Sequence, residues 1–391
     1  MLNGLPSEPQ IRRMIELRRD FHRHPELSFE EERTAAKVVS ELERMGLSPT
    51  YGGKGTGVTA QLGSDMATPM VALRAEMDAL PGHESTALPF ASVEPGKMHA
   101  CGHDAHMAMV LGAAQMLVEN PPPGRVLFIF QPAEEEGAGA RSMIDAGAHE
   151  GVEAIFAGHV THQYPTGQIM VGDGVVTAQS DSFSIRVTGR GGHGARPHES
   201  VDAVIVTGLL ISVIQTLITR ELDPFHPTVV TIGKISAGTA GNVIAEEGIL
   251  EGTIRTTDAA MRRHVFEGLK RMGEAAAELH RARVNLDIIE GYPPVINASR
   301  ETEQARRAVR ALFGEAGLVH MENPSMGAED FAYFLQEIPG CYVRFGARLP
   351  DAEYVPLHSP KFDIDENVLP IGAAFYDRVI REALDDRSTR Q

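Results

Sequence analysis

Residues 97–106 read Lys-Met-His-Ala-Cys-Gly-His-Asp-Ala-His, which brings one thiol and several imidazoles within a single helical turn. Cys101 and His103 lie two apart across Gly102, so the backbone can turn tightly and aim both side chains at one point. A thiolate beside an imidazole suits zinc or another borderline-soft divalent ion. His99 and His106 flank the pair and read as ordinary buried or capping histidines. Two ligands do not hold a cation, so the rest of the chain must supply more. Gln131-Pro132-Ala133-Glu134-Glu135-Glu136-Gly137 sets three successive carboxylates at the mouth of an apolar run, an expensive placement unless a cation sits there. His159 and His358 each follow a further apolar run, and Asp78 opens Asp78-Ala79-Leu80-Pro81 at the end of another.

Elements of two kinds must position these residues. Val58 to Leu62, Met70 to Glu76, Arg125 to Phe130, Glu153 to Gly158 and Cys341 to Gly346 read as strands, the third apolar enough to be buried on both faces. Helical runs alternate with them. Asp104 opens an apolar helix, Ala105 to Leu117. Ser28 with Glu31 reads as a capping box before Ala35, Val38, Val39, Leu42 and Met45, and Gly46 ends that helix. This alternation predicts an α/β fold, a mostly parallel sheet with helices on both faces, and chemistry outside the carboxyl ends of its strands.

From about Asp181 the pattern changes. Ser182 to Thr188 alternates as a half-buried strand, and Gly189 to Gly194 forms a flexible loop carrying His193. A helix over 199–220, strands Thr228 to Ile235 and Gly248 to Thr256, a helix from Asp258 to about Arg283 and a strand from Val284 to Glu290 follow. The order β-α-β-β-α-β is that of a ferredoxin-like α+β unit. The expected organisation is therefore a discontinuous catalytic domain, 1–179 and 292–391, with an inserted lid and dimerisation domain, 180–291.

With 391 residues and 42% hydrophobic content, the chain can bury a large core in two domains. Its two cysteines are too few for a disulfide framework, and Met1 to Arg19 holds no apolar core of signal-peptide length, so a reducing, cytoplasmic setting is expected. The longest uncharged run, Ala203 to Thr219, contains Thr207, Ser212, Gln215, Thr216 and Thr219, and reads as a buried amphipathic helix and not a membrane span. A net charge of -17 argues against nucleic acid and anionic membranes as partners, since either would repel it.

Taken together, these blocks resemble the di-metal aminoacylase and carboxypeptidase family, in particular its amidohydrolase branch of hippurate hydrolases, N-acyl-amino-acid hydrolases and auxin-conjugate hydrolases. The resemblance covers His22 to Ser28, Arg74 to Pro81, Met98 to His106, Gln131 to Ala140, Gly158 to Val160, Gly189 to Asp202, Gly238 to Thr256, Gly327 to Phe331 and Leu357 to Phe362, in the family's order.

It implies two divalent metal ions per subunit, zinc, manganese, cobalt or nickel. Cys101, His103, Glu135, His159 and His358 would be the ligands, with His103 as the bridge. Glu134 would be the general base, the alternation of side chains at a strand end dividing its role from that of Glu135. Asp78 would orient a ligand imidazole. His193 would donate to the scissile carbonyl oxygen in the partner subunit of a homodimer or homotetramer, and Asn242 would bind substrate. Three positions depart from the family pattern: Glu76 stands where Asp is usual, Glu136 where Gly is usual and Ala245 where Pro is usual. The implied reaction is hydrolysis of a small-molecule N-acyl amino acid to a carboxylic acid and a free amino acid. The alternatives are a metallo-carboxypeptidase or dipeptidase acting on short peptides and, from another class, a non-catalytic metal-binding protein retaining the fold.

Overall fold

The computed structural model describes residues 4–349 and 352–388, so the outermost residues of the two catalytic-domain segments and the start of the Met1 to Arg19 stretch lie outside the described residues. The chain forms two compact units. One comprises the chain up to Val176, Ile296–Asn323 and the part from Asp330 onward; the other comprises Thr177–Val295 and Pro324–Glu329.

The first unit is built on an eight-stranded sheet. At its centre Arg125–Gln131, Met70–Glu76, Ala154–Pro165 and Gly340–Arg348 run parallel. Gly57–Leu62 and Thr50–Gly52 continue one flank in antiparallel register. Ile169–Val171 pairs antiparallel with Gly340–Arg348, and Leu318–His320 closes the far edge. Every residue of Met70–Glu76 is buried, as a strand covered on both faces requires. The helix His103–Glu119 is apolar around most of its circumference and packs against Glu8–Arg23 and Val368–Ser388 within one continuous core. Its first residue is His103, one ahead of the expected start, and Gly102 caps it at φ 90°. A Cβ at Gly102 would lie 2.4 Å from Val160 Cγ2, so this turn accepts only glycine.

The expected capping box does not form. The helix Glu32–Arg44 has Glu31 as its N-cap with no side-chain cap bond. The carboxylate of Glu26 accepts from Arg33 N at 3.0 Å and Thr34 N at 2.8 Å, satisfying donors a serine would otherwise serve. That releases Ser28 and Glu31 inward, where both meet the site described below.

The second unit is a four-stranded antiparallel sheet in the order Thr228–Ala237, Glu247–Thr256, Gln179–Thr188, Arg283–Glu290. Helices Ala203–Arg220 and Ala259–His280 pack on it, capped by Asp202 and Asp258. The first begins four residues later than expected because Pro197–Glu199 forms a separate 3-10 turn. Its burial is one-sided: Val206, Leu210, Ile214 and Leu217 are fully buried, whereas Val204 and Ile205 are 44% and 58% exposed. Among the described residues it is the one helix long and apolar enough to cross a membrane, yet its buried residues recur at the spacing of a helix laid on a sheet.

Candidate metal centre and active site

The carboxyl ends of the central strands and the start of the His103–Glu119 helix bring the expected residues of the first unit together. Asp78 lies just past Met70–Glu76, Glu134 and Glu135 just past Arg125–Gln131, and His159 within Ala154–Pro165. His358 sits in a loop at φ 66°, its N–H donating to Ala100 O at 2.8 Å beside Cys101. Left-handed backbone at a non-glycine residue is strained, and here it holds a side chain against the cluster.

Three trios of donor atoms result, Cys101 with His103 and His159, Cys101 with Glu135 and His358, and His103 with Glu134 and Glu135, each within 4.8 Å. Cys101 Sγ lies 3.2 Å from His159 Nε2, and His358 Nε2 lies 3.4 Å from Glu135 Oε1. Cys101 joins the two trios that leave Glu134 out, and His103 joins two as well. The tautomer limits what His103 offers. His103 Nδ1 donates to Asp78 O at 2.8 Å, with Asp78 Oδ1 at 3.3 Å, leaving one lone pair on Nε2. A sulfur keeps several.

These residues fit divalent cations. His103 Nε2 and Glu135 Oε1 are buried without a hydrogen-bond partner, a cost that a cation between them would remove. His159 Nδ1 donates to Val160 O at 2.7 Å, so its Nε2 also points a lone pair at the cluster. Burial, with Glu135 and Glu134 beside it, pushes the Cys101 thiol well above its usual range. Burial would lower His103, but Asp78, Glu76 and Glu135 outweigh it and raise the imidazole to about 10, so a cation would have to displace the proton from Nε2 to use its lone pair. Burial and His106 hold His159 well below the usual histidine value. A thiol, two imidazoles and carboxylates packed out of water are the donor set of a zinc-type site.

Glu134 is 7% exposed, its Oε2 4.0 Å from His103 Nε2. It and Glu135 lie beyond the strand end, so strand alternation does not separate them. The backbone leading into both turns at a left-handed Ala133, φ 51°, whose N–H donates to Glu31 Oε1 at 2.9 Å. Ser28 Oγ donates to Asp78 Oδ2 at 2.8 Å, and Glu135 N donates to the same oxygen at 3.0 Å. Glu136, the departure from the family pattern, is exposed and joins no metal-holding group among the described residues.

A buried ion network backs the cluster. Val160 N donates to His106 Nε2 at 2.9 Å, leaving His106 Nδ1 to donate to Glu76 Oε2 at 2.8 Å. Glu76 pairs in turn with Arg74, which reaches Gln131 Oε1 at 2.8 Å and Asp330 Oδ1 at 2.7 Å. Burial alone would raise Glu76; Arg74 and His106 hold it well below the carboxylate range. Glu76, His106 and Asp330 carry no role in the sequence reading. One signal was present, since Arg74 and Glu76 interrupt an otherwise apolar strand and buried charges require partners.

In the second unit His193 and Asn242 come together. Gly192–His193 pairs with Val243–Ile244, and Gly194 N donates to Asn242 O at 2.9 Å. The loop expected to be flexible is thus paired. The His193 side chain is exposed; its Nδ1 accepts from Ala195 N at 3.1 Å, which places the ring proton of the neutral form on Nε2. Ala245, the third departure, is buried and its carbonyl accepts from Ala203 N at 3.1 Å.

The comparisons agree with this architecture. Thermostable carboxypeptidase 1 of Saccharolobus solfataricus is 37% identical over 367 residues, 92% of each chain. N-acetylcysteine deacetylase of Bacillus subtilis is 38% identical over 370 residues, 93% of this chain and 95% of that one. The structure of the Bacillus subtilis YXEP protein, a dinuclear metal binding peptidase, aligns at 35% identity with a TM-score of 0.85, covering 97% of this chain and 99% of that one. The model of peptidase family M20/M25/M40 matches residues 72–382, and the chain belongs to that family.

Proposed function

We propose that the protein hydrolyses the amide bond of N-acyl amino acids, using two divalent cations held by Cys101, His103, Glu135, His159 and His358. The observation carrying this reading is that the donor atoms of these five residues gather in two trios that share Cys101, with Glu134 beside them, 4.0 Å from His103. Cys101 would then be the residue able to serve both cations. When bound, paired cations lower the pKa of a water towards about 7 and stabilise the negative charge that develops on the carbonyl oxygen. Glu134 takes the proton of the attacking water on its carboxylate. As oxygen bonds to the acyl carbon and the C–N bond breaks, Glu134 passes that proton to the departing nitrogen. Asp78, held by Ser28 and Glu135 N, fixes His103 with Nε2 towards the cluster. A ligand thiol works only while unoxidised, which suits a reducing compartment.

His193 and Asn242 are the proposed substrate contacts of the second unit, the Nε2–H of His193 donating to the carbonyl oxygen in the site of a second copy of the chain. Cleavage of short peptides by a carboxypeptidase reaction is the second reading, favoured by similarity to the thermostable carboxypeptidase. Assaying N-acetyl and N-benzoyl amino acids against dipeptides, after loading with zinc, manganese, cobalt or nickel, separates the two. Glu134→Gln tests the mechanism: turnover falls by about 100-fold or more, as for loss of a general base, while metal content and Tm stay at wild-type values. Full turnover in that variant contradicts it, and a wild type that binds metal without hydrolysing either class indicates a binding protein.

A further inference from the structure

His106 is fully buried among the metal-holding side chains, and the mechanism above gives it no task. It follows His103 by three residues on the His103–Glu119 helix, so the two imidazoles share one face, with ring centroids 5.6 Å apart. Both of its nitrogens are engaged. Nε2 accepts from Val160 N at 2.9 Å, and Nδ1 donates to Glu76 Oε2 at 2.8 Å, while the other oxygen of Glu76 pairs with Arg74. Donor atoms of Glu76, His103 and His106 also gather within 4.8 Å. With Glu76 and His106 committed to these bonds, that group is framework and not a cation position.

The sheet explains why an imidazole stands there. Met70–Glu76 pairs with Ala154–Pro165 only from Val71↔Ala154 to Leu73↔Phe156. Beyond that pairing the strand edge has no strand neighbour, and the peptide groups of the fully buried Val160 need side-chain partners. His106 Nε2 takes the N–H, and His159 Nδ1 donates to the C=O at 2.7 Å. The His106 ring also meets His159 edge to face, with centroids 4.5 Å apart and planes at 68°. One imidazole thus fixes both the backbone that follows His159 and the plane of its ring.

We propose that His106 is the positioning residue of His159, holding its Nε2 towards Cys101, and that it thereby sets the affinity of one cation position and not of the other. The inference rests on the two-cation reading. His159 Nε2 lies 3.2 Å from Cys101 Sγ, in the trio with Cys101 and His103, and His159 joins no other metal-holding group among the described residues. A misaimed His159 therefore weakens one position alone. Glu76 acts as the acceptor that keeps the His106 proton on Nδ1 and leaves Nε2 to take the Val160 N–H.

The test titrates metal-free protein with cobalt(II) and reads two stepwise Kd values from the visible absorption of the bound ion. His106→Leu removes the acceptor of the Val160 N–H and His106→Asn shortens its reach, so that a folded variant remains should one fail to fold. His106→Gln carries an amide oxygen about where Nε2 stands. The Leu and Asn variants weaken one Kd by about 10- to 100-fold, the cost of losing the partner of a ligand histidine. The second Kd keeps its wild-type value, and Gln recovers most of the first. In a His159→Ala background His106→Asn changes nothing further, whereas in a His358→Ala background its effect persists. Unchanged affinities, two Kd values weakened alike, a loss that adds in full to that of His159→Ala, or a Gln variant as impaired as Leu overturns the inference. A wild type that takes up two cobalt ions yet hydrolyses no N-acyl amino acid contradicts the hydrolase reading alone; one that takes up fewer than two overturns both.

Discussion

Glu134 and Glu135 are neighbours in the chain with different surroundings, and the backbone that leads into both turns one residue earlier. Ala133 is left-handed, and Glu31, fully buried and raised to about 7 chiefly by burial, receives its N–H. Replacing Glu31 by alanine leaves that N–H unsatisfied, at a cost of about 1–3 kcal/mol. The shift it permits in Glu134 lowers kcat by about 10- to 100-fold, with KM little changed. Glu31→Gln keeps an accepting oxygen and recovers most of the rate; steady-state kinetics in which the two variants are equally impaired would deny Glu31 this role. The sequence could not show this. Ser28 and Glu31 match a capping pattern, and a short motif states which groups seek partners without saying that Glu26 has already taken the helix end. Cys101 and His103 were marked by their own spacing, whereas Glu135, His159 and His358 were expected only through the family resemblance; which nitrogen of His103 faces Asp78 is set by the fold and leaves no signal in the sequence.

At the scale of elements, the His103–Glu119 helix that carries a proposed ligand is tied down at its first turn. Asp104 accepts from Arg18 Nε at 2.9 Å and from His22 Nδ1 at 2.8 Å, joining it to the Glu8–Arg23 helix, and Glu84 lies 3.2 Å from His22 Nε2. Burial would lower His22, but Asp104 and Glu84 outweigh it and raise it to about 9. A folded-state value above the ordinary 6.5 gives stability that is complete below 6.5 and is lost as pH rises through 9. Tm should therefore decline from pH 6.5 to 9 more steeply in wild type than in His22→Gln; parallel profiles would show that His22 is not charged in the fold. The strands, helices and their alternation were readable from periodicity. The tie was not, since it joins residues 82 positions apart.

For the whole molecule, an insertion over 180–291 was expected because the apolar pattern changes there, and the second compact unit comprises Thr177–Val295 and Pro324–Glu329. Pro324–Glu329 joins that unit without any period to announce it, through Ala178 N donating to Ser325 O at 2.8 Å and Arg255 to Met326 O at 3.1 Å. Assembly is where the second unit is expected to matter. His193→Ala should lower kcat by about 10²- to 10³-fold, the loss of one oxyanion donor. Mixing it with inactive Glu134→Ala under subunit exchange should restore turnover, because each mixed pair holds one site with both groups. No recovery on mixing would mean that His193 serves its own chain or none.

Anomalous diffraction from crystals of the metal-loaded protein tests the central claim most directly. Two peaks are expected, one among Cys101, His103 and His159 and one among Cys101, Glu135 and His358, with the Cys101 sulfur bonded to both and Glu134 to neither. A single peak, or density joining Glu134 to a cation while Cys101 stands apart, would contradict it.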